Sequence, residues 1–335
     1  MPSNPSRQRI IWVDVGKYFC IMFVMLSHLE SNTELLSKFY SPFFLTTFFF
    51  LSGYVYMRPL SFRNHIIKKI RGLLIPWLIF SVMDILLSSV ISLRNNVDVK
   101  SELFWNFLQI RGMGDAIWFV AALFVAYIPF YFLIRIKSPL LVFSISAVCS
   151  VISVLYSRYA PAFAYGTNAL PWHLEYIFQA ILWMVLGYYF RSYWEPAFDK
   201  CKTVRRNIII WALYIIVAYI PTIRGGSIIV PYLRSIIGIL AVICLSKWVH
   251  TNRYVSFVGQ NTLIYFALHG KVYAVIQYCL NRFANKSYSA LLSNEYLSSI
   301  TAVVITLIMS VILIIPAIII NRYFPWMVGR RKNAD

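Results

Sequence analysis

The chain is poor in charge. Only 13% of its 335 residues are Asp, Glu, Lys or Arg, against roughly 25% in soluble globular proteins. With 60% hydrophobic residues and a mean hydropathy of +0.68, that deficit excludes an ordinary soluble domain and points to a membrane protein. Acidic residues are scarcer still: 12 face 31 Lys and Arg, leaving a net charge of +19. Such a surplus beside 17% aromatic residues can mark a nucleic-acid binder. Here, however, the cations sit in short clusters between apolar runs, as in the cytoplasmic loops of polytopic proteins. No nucleic-acid partner is therefore expected, and anionic lipids are. Cysteine is sparse as well. Cys20, Cys149, Cys201, Cys244 and Cys279 show no metal-ligand spacing and four lie in apolar runs, so they read as small core residues, with no metal site and no redox role inferred. There is no linker, low-complexity block or internal repeat, which implies one membrane domain over 1–335 with short polar tails, 1–8 and 329–335. The polar MPSNPSRQR leads straight into the first apolar run without a convincing cleavage site, so that run is expected to stay as a helix.

Apolar runs fall near 10–28, 40–57, 73–93, 116–134, 139–156, 173–190, 207–221, 228–246, 261–280 and 297–320. Runs of this kind predict an all-α integral membrane protein, a bundle of about ten transmembrane helices. The run at 207–221 is short and ends at Pro221, which suggests a tilted or broken span. With both termini placed in the cytoplasm, most of the 31 Lys and Arg fall on inside segments. Among these are Arg7 and Arg9; Arg58, Arg63, Lys68, Lys69 and Arg71; Lys202, Arg205 and Arg206; and Arg330, Arg331 and Lys332. The outside segments keep fewer, including Arg94 and Arg224. The positive-inside rule therefore favours an even helix number with both ends inside.

Ionisable side chains within a membrane helix are costly and by default mark function. The first run carries Asp14, Lys17 and His28. Eleven residues at 100° each bring Lys17 and His28 to within about 20° of one another around the axis, on the order of 16 Å apart along it. Asp14 lies three residues before Lys17 on the same side. The three form one polar stripe, with Lys17 in the inner half and His28 near the outer end. A structural ion pair between Asp14 and Lys17, with His28 at the interface, is the plain alternative. Imidazole is the side chain best suited to move a proton near neutral pH, so His28 is the candidate general base.

These residues also resemble a known family. RIIWVDVGKYFCIMFVMLSH (9–28) is similar to the first helix of the acyltransferase 3 family of membrane acyltransferases, which opens with Arg or Lys, ten residues and a His. FFFLSGYV (48–55), KKIRGLLIPW (68–77), IWFVAALF (117–124), LPWHLEYIFQAILWMVLGYYFR (170–191) and LIYFALHG (263–270) resemble its later signatures, in order along the chain. The nearest subgroup is the fucose 4-O-acetyltransferase-like branch. The present chain departs from it by reading Tyr40-Ser41-Pro42-Phe43-Phe44 where that branch carries a His, and Lys17 stands for the commoner Arg, which keeps the charge and loses the bidentate fork.

The resemblance implies acetyl-CoA as a cytoplasmic co-substrate, with no permanently bound cofactor. It implies as acceptor a hydroxyl of a surface or lipid-linked saccharide such as O-antigen, capsule or lipopolysaccharide, and a bacterial inner membrane as the setting. Within that reading, His28, Lys17 and Asp14 are the expected catalytic stripe, with Glu175 or Glu30 as a carboxylate partner for His28. Lys68, Lys69, Arg71 and Arg63 are expected to bind the CoA phosphates, against the alternative of plain positive-inside anchoring. Ser52 and Gly53 would form a small-residue wall on the donor's path, with helix packing as the simpler role. Trp118 is a candidate to stack on a sugar or merely an interfacial aromatic. Arg234 is a candidate to stabilise an oxyanion or to pair with Asp84 or Glu175, and His269, near Lys271, is a candidate second polar contact in the cavity. A transporter or flippase of a lipid-linked saccharide shares many of these features; paired discontinuous helices in two halves would favour it, and the sequence shows none.

Overall fold

The computed structural model describes residues 9–91, 99–111, 117–200, 204–220 and 228–330. Arg7, Arg94, Cys201, Lys202, Pro221, Arg224, Arg331 and Lys332 lie outside them. Among the described residues the chain is helical, without a strand. The order is α1 (Ile11–Ser27), α2 (Glu34–Tyr40), α3 (Phe44–Tyr54), α4 (Phe62–Lys69), a π-turn (Ile70–Leu74) and α5 (Ile75–Ile91). Then come α6 (Val99–Leu108), α7 (Trp118–Leu133), α8 (Pro139–Tyr159), α9 (Leu174–Tyr189), α10 (Glu195–Lys200) and α11 (Val204–Tyr219). The last are α12 (Ile229–Trp248), α13 (Arg253–Gln260), α14 (Thr262–Phe283), α15 (Asn285–Leu292), α16 (Glu295–Ile312) and α17 (Ile314–Tyr323).

Each apolar run carries a helix. Five stretches are long and apolar enough to cross a bilayer: Phe62–Leu87, Pro139–Tyr159, Ile229–Trp248, Thr262–Phe283 and Glu295–Tyr323, with Trp118–Leu133 a shorter apolar helix. Between them lie short helices that hydropathy alone does not mark. Helices of both kinds start on a polar cap: Thr33 Oγ1 accepts from Leu36 N–H, Ser61 Oγ from Asn64 N–H at the start of the first long stretch, and Asn252 Oδ1 from Val255 N–H. Each cap satisfies a backbone donor that the first helical turn leaves free.

The faces of the long helices are reversed relative to a soluble bundle. In α16, Ser298, Ser299, Thr306 and Ser310 are buried, while Val303, Val304, Leu307, Ile308 and Val311 are exposed. In α8, Ser146, Ser150 and Ser153 are buried, one helical face, while Val148, Val151, Ile152 and Leu155 are exposed. Water would penalise such a surface. Lipid does not, and small polar residues turned inward let helices approach closely and exchange hydrogen bonds.

The contacts separate into two compact units, Met1–Phe48 with Asp199–Ile314, and Phe49–Phe198 with Ile315–Asp335. The first unit is built on α1, which packs against α12, α13, α14 and α16 and buries residues around most of its circumference, Val13 to Gly16, Cys20, Ile21 and Val24 to Leu26. The second is built on α9, flanked by α7 and α8. Here two glycines act reciprocally. A Cβ on Gly53 would collide with the backbone of Met184, and one on Gly187 with the carbonyl of Phe50. The two backbones therefore touch at both points. At the end of α7, Arg58 donates to the Ile134 carbonyl and Arg135 to those of Tyr131 and Pro59, so these loop cations satisfy helix-end acceptors.

Gly53→Val and Gly187→Val should each force this crossing apart and cost about 1–3 kcal/mol or more. Thermal unfolding of the detergent-solubilised protein should show both shifted well below Gly270→Ala, whose added methyl meets nothing within 4 Å.

Candidate active site

The polar stripe of α1 starts at a buried carboxylate. Asp14 is 6% exposed, and its Oδ2 accepts from Arg9 Nε at 2.5 Å. Lys17, half-buried one turn on, feels the charges of both Asp14 and Arg9. The hydrogen-bonded partner of Asp14 is thus Arg9, with Lys17, the partner in the plain alternative, one turn away. Gly259 of α13 lies against the Asp14 backbone, where any Cβ would collide with the carbonyl.

At the other end of the stripe α1 stops at His28, whose φ of −101° and ψ of 5° leave the helix. Its ring lies 4.8 Å from that of His269 on α14, centroid to centroid, at an interplanar angle of 66°. His28 is exposed and His269 is buried. Both rings use the same nitrogen in the same way. His28 Nδ1 is 2.8 Å from the Val24 carbonyl and His269 Nδ1 is 2.8 Å from the Phe266 carbonyl. A carbonyl oxygen only accepts, so the proton is assigned to each Nδ1. In the neutral form both rings then keep their lone pair on Nε2.

The segment after His28 is fastened to the same helix. Glu30 N–H donates to Tyr273 Oη at 2.8 Å, and Gln277 Nε2 donates to Glu30 Oε2 at 2.7 Å. His269, Tyr273 and Gln277 are spaced at i, i+4 and i+8, one face of α14. The Glu30 carboxylate is therefore engaged with Gln277. The ring facing His28 is the imidazole of His269.

The basic cluster divides. Asn64, Lys68 and Arg71 share one face of α4 and its π-turn and line a cavity of about 520 Å³ with Ile67, Gly72 and Gly329. Lys69 turns elsewhere: its Nζ stands 3.1 Å from the centroid of the Tyr127 ring and 5.6 Å from that of Tyr56, a cation–π contact. Arg63 is exposed and is not among the residues lining this cavity. Gly53 meets the Met184 backbone, and the Ser52 carbonyl accepts from Tyr127 Oη at 3.1 Å.

Trp118 and Glu175 belong to a second cluster. Trp118 is half-buried, 5.1 Å from the ring of His173 and 5.9 Å from that of Tyr176. Glu175 Oε2 accepts from Leu170 N–H at 2.8 Å, and Oε1 lies 4.0 Å from His173 Nδ1. His173 is fully buried with neither ring nitrogen hydrogen-bonded. Trp172 and His173 hold φ of 57° and 54°, the left-handed region, costly for bulky residues. Arg234 donates from Nε to the Val217 carbonyl at 2.9 Å and from Nη2 to that of Ile220. Its guanidinium closes the C-terminal end of α11, where orphan carbonyls attract cations.

A family model described as an acyltransferase domain, that of acyltransferase 3, matches residues 10–320. The chain belongs to the acyltransferase 3 family. It is a membrane acyltransferase, with the match running from the first turn of α1 into α17. No curated protein and no solved structure matches it.

In this acyltransferase the sequence identifies the stripe but misses two things. One is His173, whose only signal is its place two residues before Glu175 in an apolar run. The other is Gly329, for which no signal exists, since its role arises from contact with residues over 250 positions earlier. Tyr273→Phe removes the acceptor for Glu30 N–H and should cost about 1 kcal/mol. Loosening the segment that carries His28 should also lower turnover several-fold at unchanged donor KM, read by thermal unfolding beside steady-state kinetics of the reconstituted acyltransferase.

Proposed function

We propose that this acyltransferase moves an acetyl group from cytoplasmic acetyl-CoA to a hydroxyl of a surface or lipid-linked saccharide, with His28 as general base. The observation that carries the reading is the pair of imidazoles, His28 and His269, with both Nδ1 protons committed to carbonyls. A neutral imidazole held in that tautomer presents Nε2 as a base, and the exposed ring, His28, is the one an acceptor can reach.

The acceptor hydroxyl gives its proton to His28 Nε2 as its oxygen attacks the thioester carbonyl carbon. The carbon–sulfur bond then breaks, and the departing thiolate takes the proton back from His28. The products are the O-acetyl ester and free CoA, and no proton is gained or lost. His269, neutral and buried beside His28, stabilises the imidazolium that forms and fixes its ring. Lys17, with Asp14, keeps the stripe polar enough to admit a charged donor. Lys68 and Arg71 take the phosphates of CoA, where charge-assisted hydrogen bonds are strong. In the second cluster, Trp118 offers an aromatic face to a sugar ring and Glu175 a hydroxyl acceptor.

The proposed setting is a bacterial inner membrane crossed about ten times, with both termini in the cytoplasm and anionic lipids at the basic loops. It follows from the positive-inside count and the family's usual role. The family itself, with the absence of paired discontinuous helices in the sequence, supports an enzyme over a transporter.

His28→Ala should lower acetylation by 10²-fold or more, within the range general base catalysis supplies, while insertion and thermal unfolding stay near wild type. Activity within tenfold of wild type would remove His28 from this role. Mass analysis of surface glycans from cells with wild type and with His28→Ala should show a 42 Da acetyl increment only with wild type, since an acetyl ester adds C2H2O. In the same reconstituted assay, Lys68→Ala with Arg71→Ala should raise KM for acetyl-CoA about tenfold or more and leave the acceptor KM in place, at about 1.4 kcal/mol per factor of ten. The reverse pattern would overturn the assignment of the donor phosphates.

A further inference from the structure

The cavity that holds Lys68 and Arg71 is completed by the far end of the chain. After α17 the backbone makes a 3-10 turn, Pro325–Val328, whose proline is buried. Gly329 N–H then donates to the Trp326 carbonyl at 3.1 Å and Arg330 N–H to that of Pro325 at 3.0 Å. Gly329 has φ +70°, a conformation that glycine adopts without steric cost. A Cβ at this position would collide with the Arg71 carbonyl and lie 2.9 Å from the Gly72 Cα. The cap can therefore close on the π-turn only because residue 329 has no side chain.

The chemistry of the cavity is one-sided. Among the described residues two cations and one amide line it, and no carboxylate does. Asn64, Lys68 and Arg71 lie along one helix face over about 10 Å, a strip too long for one phosphate and suited to several. A volume of about 520 Å³ is in the range of small-molecule sites, roughly 300–1,000 Å³. Phosphate esters answer this description, whether on a nucleotide or on a lipid headgroup.

We propose that the C-terminal cap, Pro325–Gly329, is a wall of the donor site that closes over the phosphate-bearing nucleotide end of CoA, with Gly329 setting the closure. This rests on the assignment of Lys68 and Arg71 to the donor. The cap makes the site sensitive to the number of phosphates on the donor and leaves the acceptor untouched.

The test uses the full-length protein in nanodiscs of neutral phosphatidylcholine. CoA should slow hydrogen–deuterium exchange in the wild-type peptide spanning 325–330, and 3′-dephospho-CoA should do so less. Gly329→Val should weaken CoA binding about tenfold, measured calorimetrically, with acceptor KM unchanged, and Gly329→Ala should show the same effect more weakly if valine prevents folding. If Lys68→Ala with Arg71→Ala weakens CoA binding while the cap peptide is not protected and Gly329 variants bind normally, the cap proposal fails and the donor assignment stands. If neither set of changes alters binding, both fail. If phosphatidylglycerol in the nanodisc protects the cap and CoA does not displace that effect, the cavity holds a lipid headgroup and the proposal is overturned.

Discussion

A carboxylate buried in an apolar helix must find a cation, and the architecture of the first unit follows from how Asp14 does so. Removing two charges from water costs several kcal/mol per ion unless each is closely compensated, and a hydrocarbon surround leaves no solvent to help. Arg9 reaches Asp14 from just before α1 and Lys17 lies one turn further along, so the N-terminal end of α1 carries a local charge network. Gly259 lets α13 seat directly on the Asp14 backbone. With that end fixed, the rotation of α1 about its axis is fixed too, and His28 emerges beside α14, where His269 meets it.

The second constraint is the solvent. Facing lipid, the long helices put serine, threonine and glycine inside and valine, leucine and isoleucine outside. Burying apolar area gives little reason to associate when lipid is equally apolar, so the helices are held by close backbone approach and short hydrogen bonds. Gly53 and Gly187 show the first; Ser153 donating to the Glu175 carbonyl and Ser298 donating to that of Ser31 at 2.9 Å show the second. Where the arrangement departs from this pattern, at His173 and Glu175, buried polar atoms stay unmatched beside a left-handed backbone. Strain of that kind tends to collect at functional positions.

Much of this was legible in the sequence. Long apolar runs are a strong signal, and each holds a helix; the shared face of Asp14, Lys17 and His28 follows from helical geometry alone. Short helices such as α2, α6, α13 and α15 were not visible, because short segments of mixed polarity do not raise hydropathy. Partners contributed by other helices were not legible. Which group meets His28, why Arg234 closes α11, and why Lys69 leaves its basic neighbours for Tyr127 are all decided between segments distant in the chain, and local pattern carries no record of that. Lys68 and Arg71, close together in the basic run, share one helix face and line one cavity.

The π-turn at Ile70–Leu74 separates α4 from α5 without ending the helix. Such a turn is wider than an α-turn and amounts to one extra residue threaded into a continuous rod. Deleting a single residue there would restore the regular ladder and leave α4 and α5 in nearly the rotational register they have now, because the wider turn has already absorbed the extra residue. What would change is the turn itself: the Arg71 carbonyl that Gly329 abuts would tuck back into the regular ladder. The close approach of Gly329 to the helix is thus stored in a local miscount of the ladder, and a single deletion would erase it while leaving both flanking helices intact.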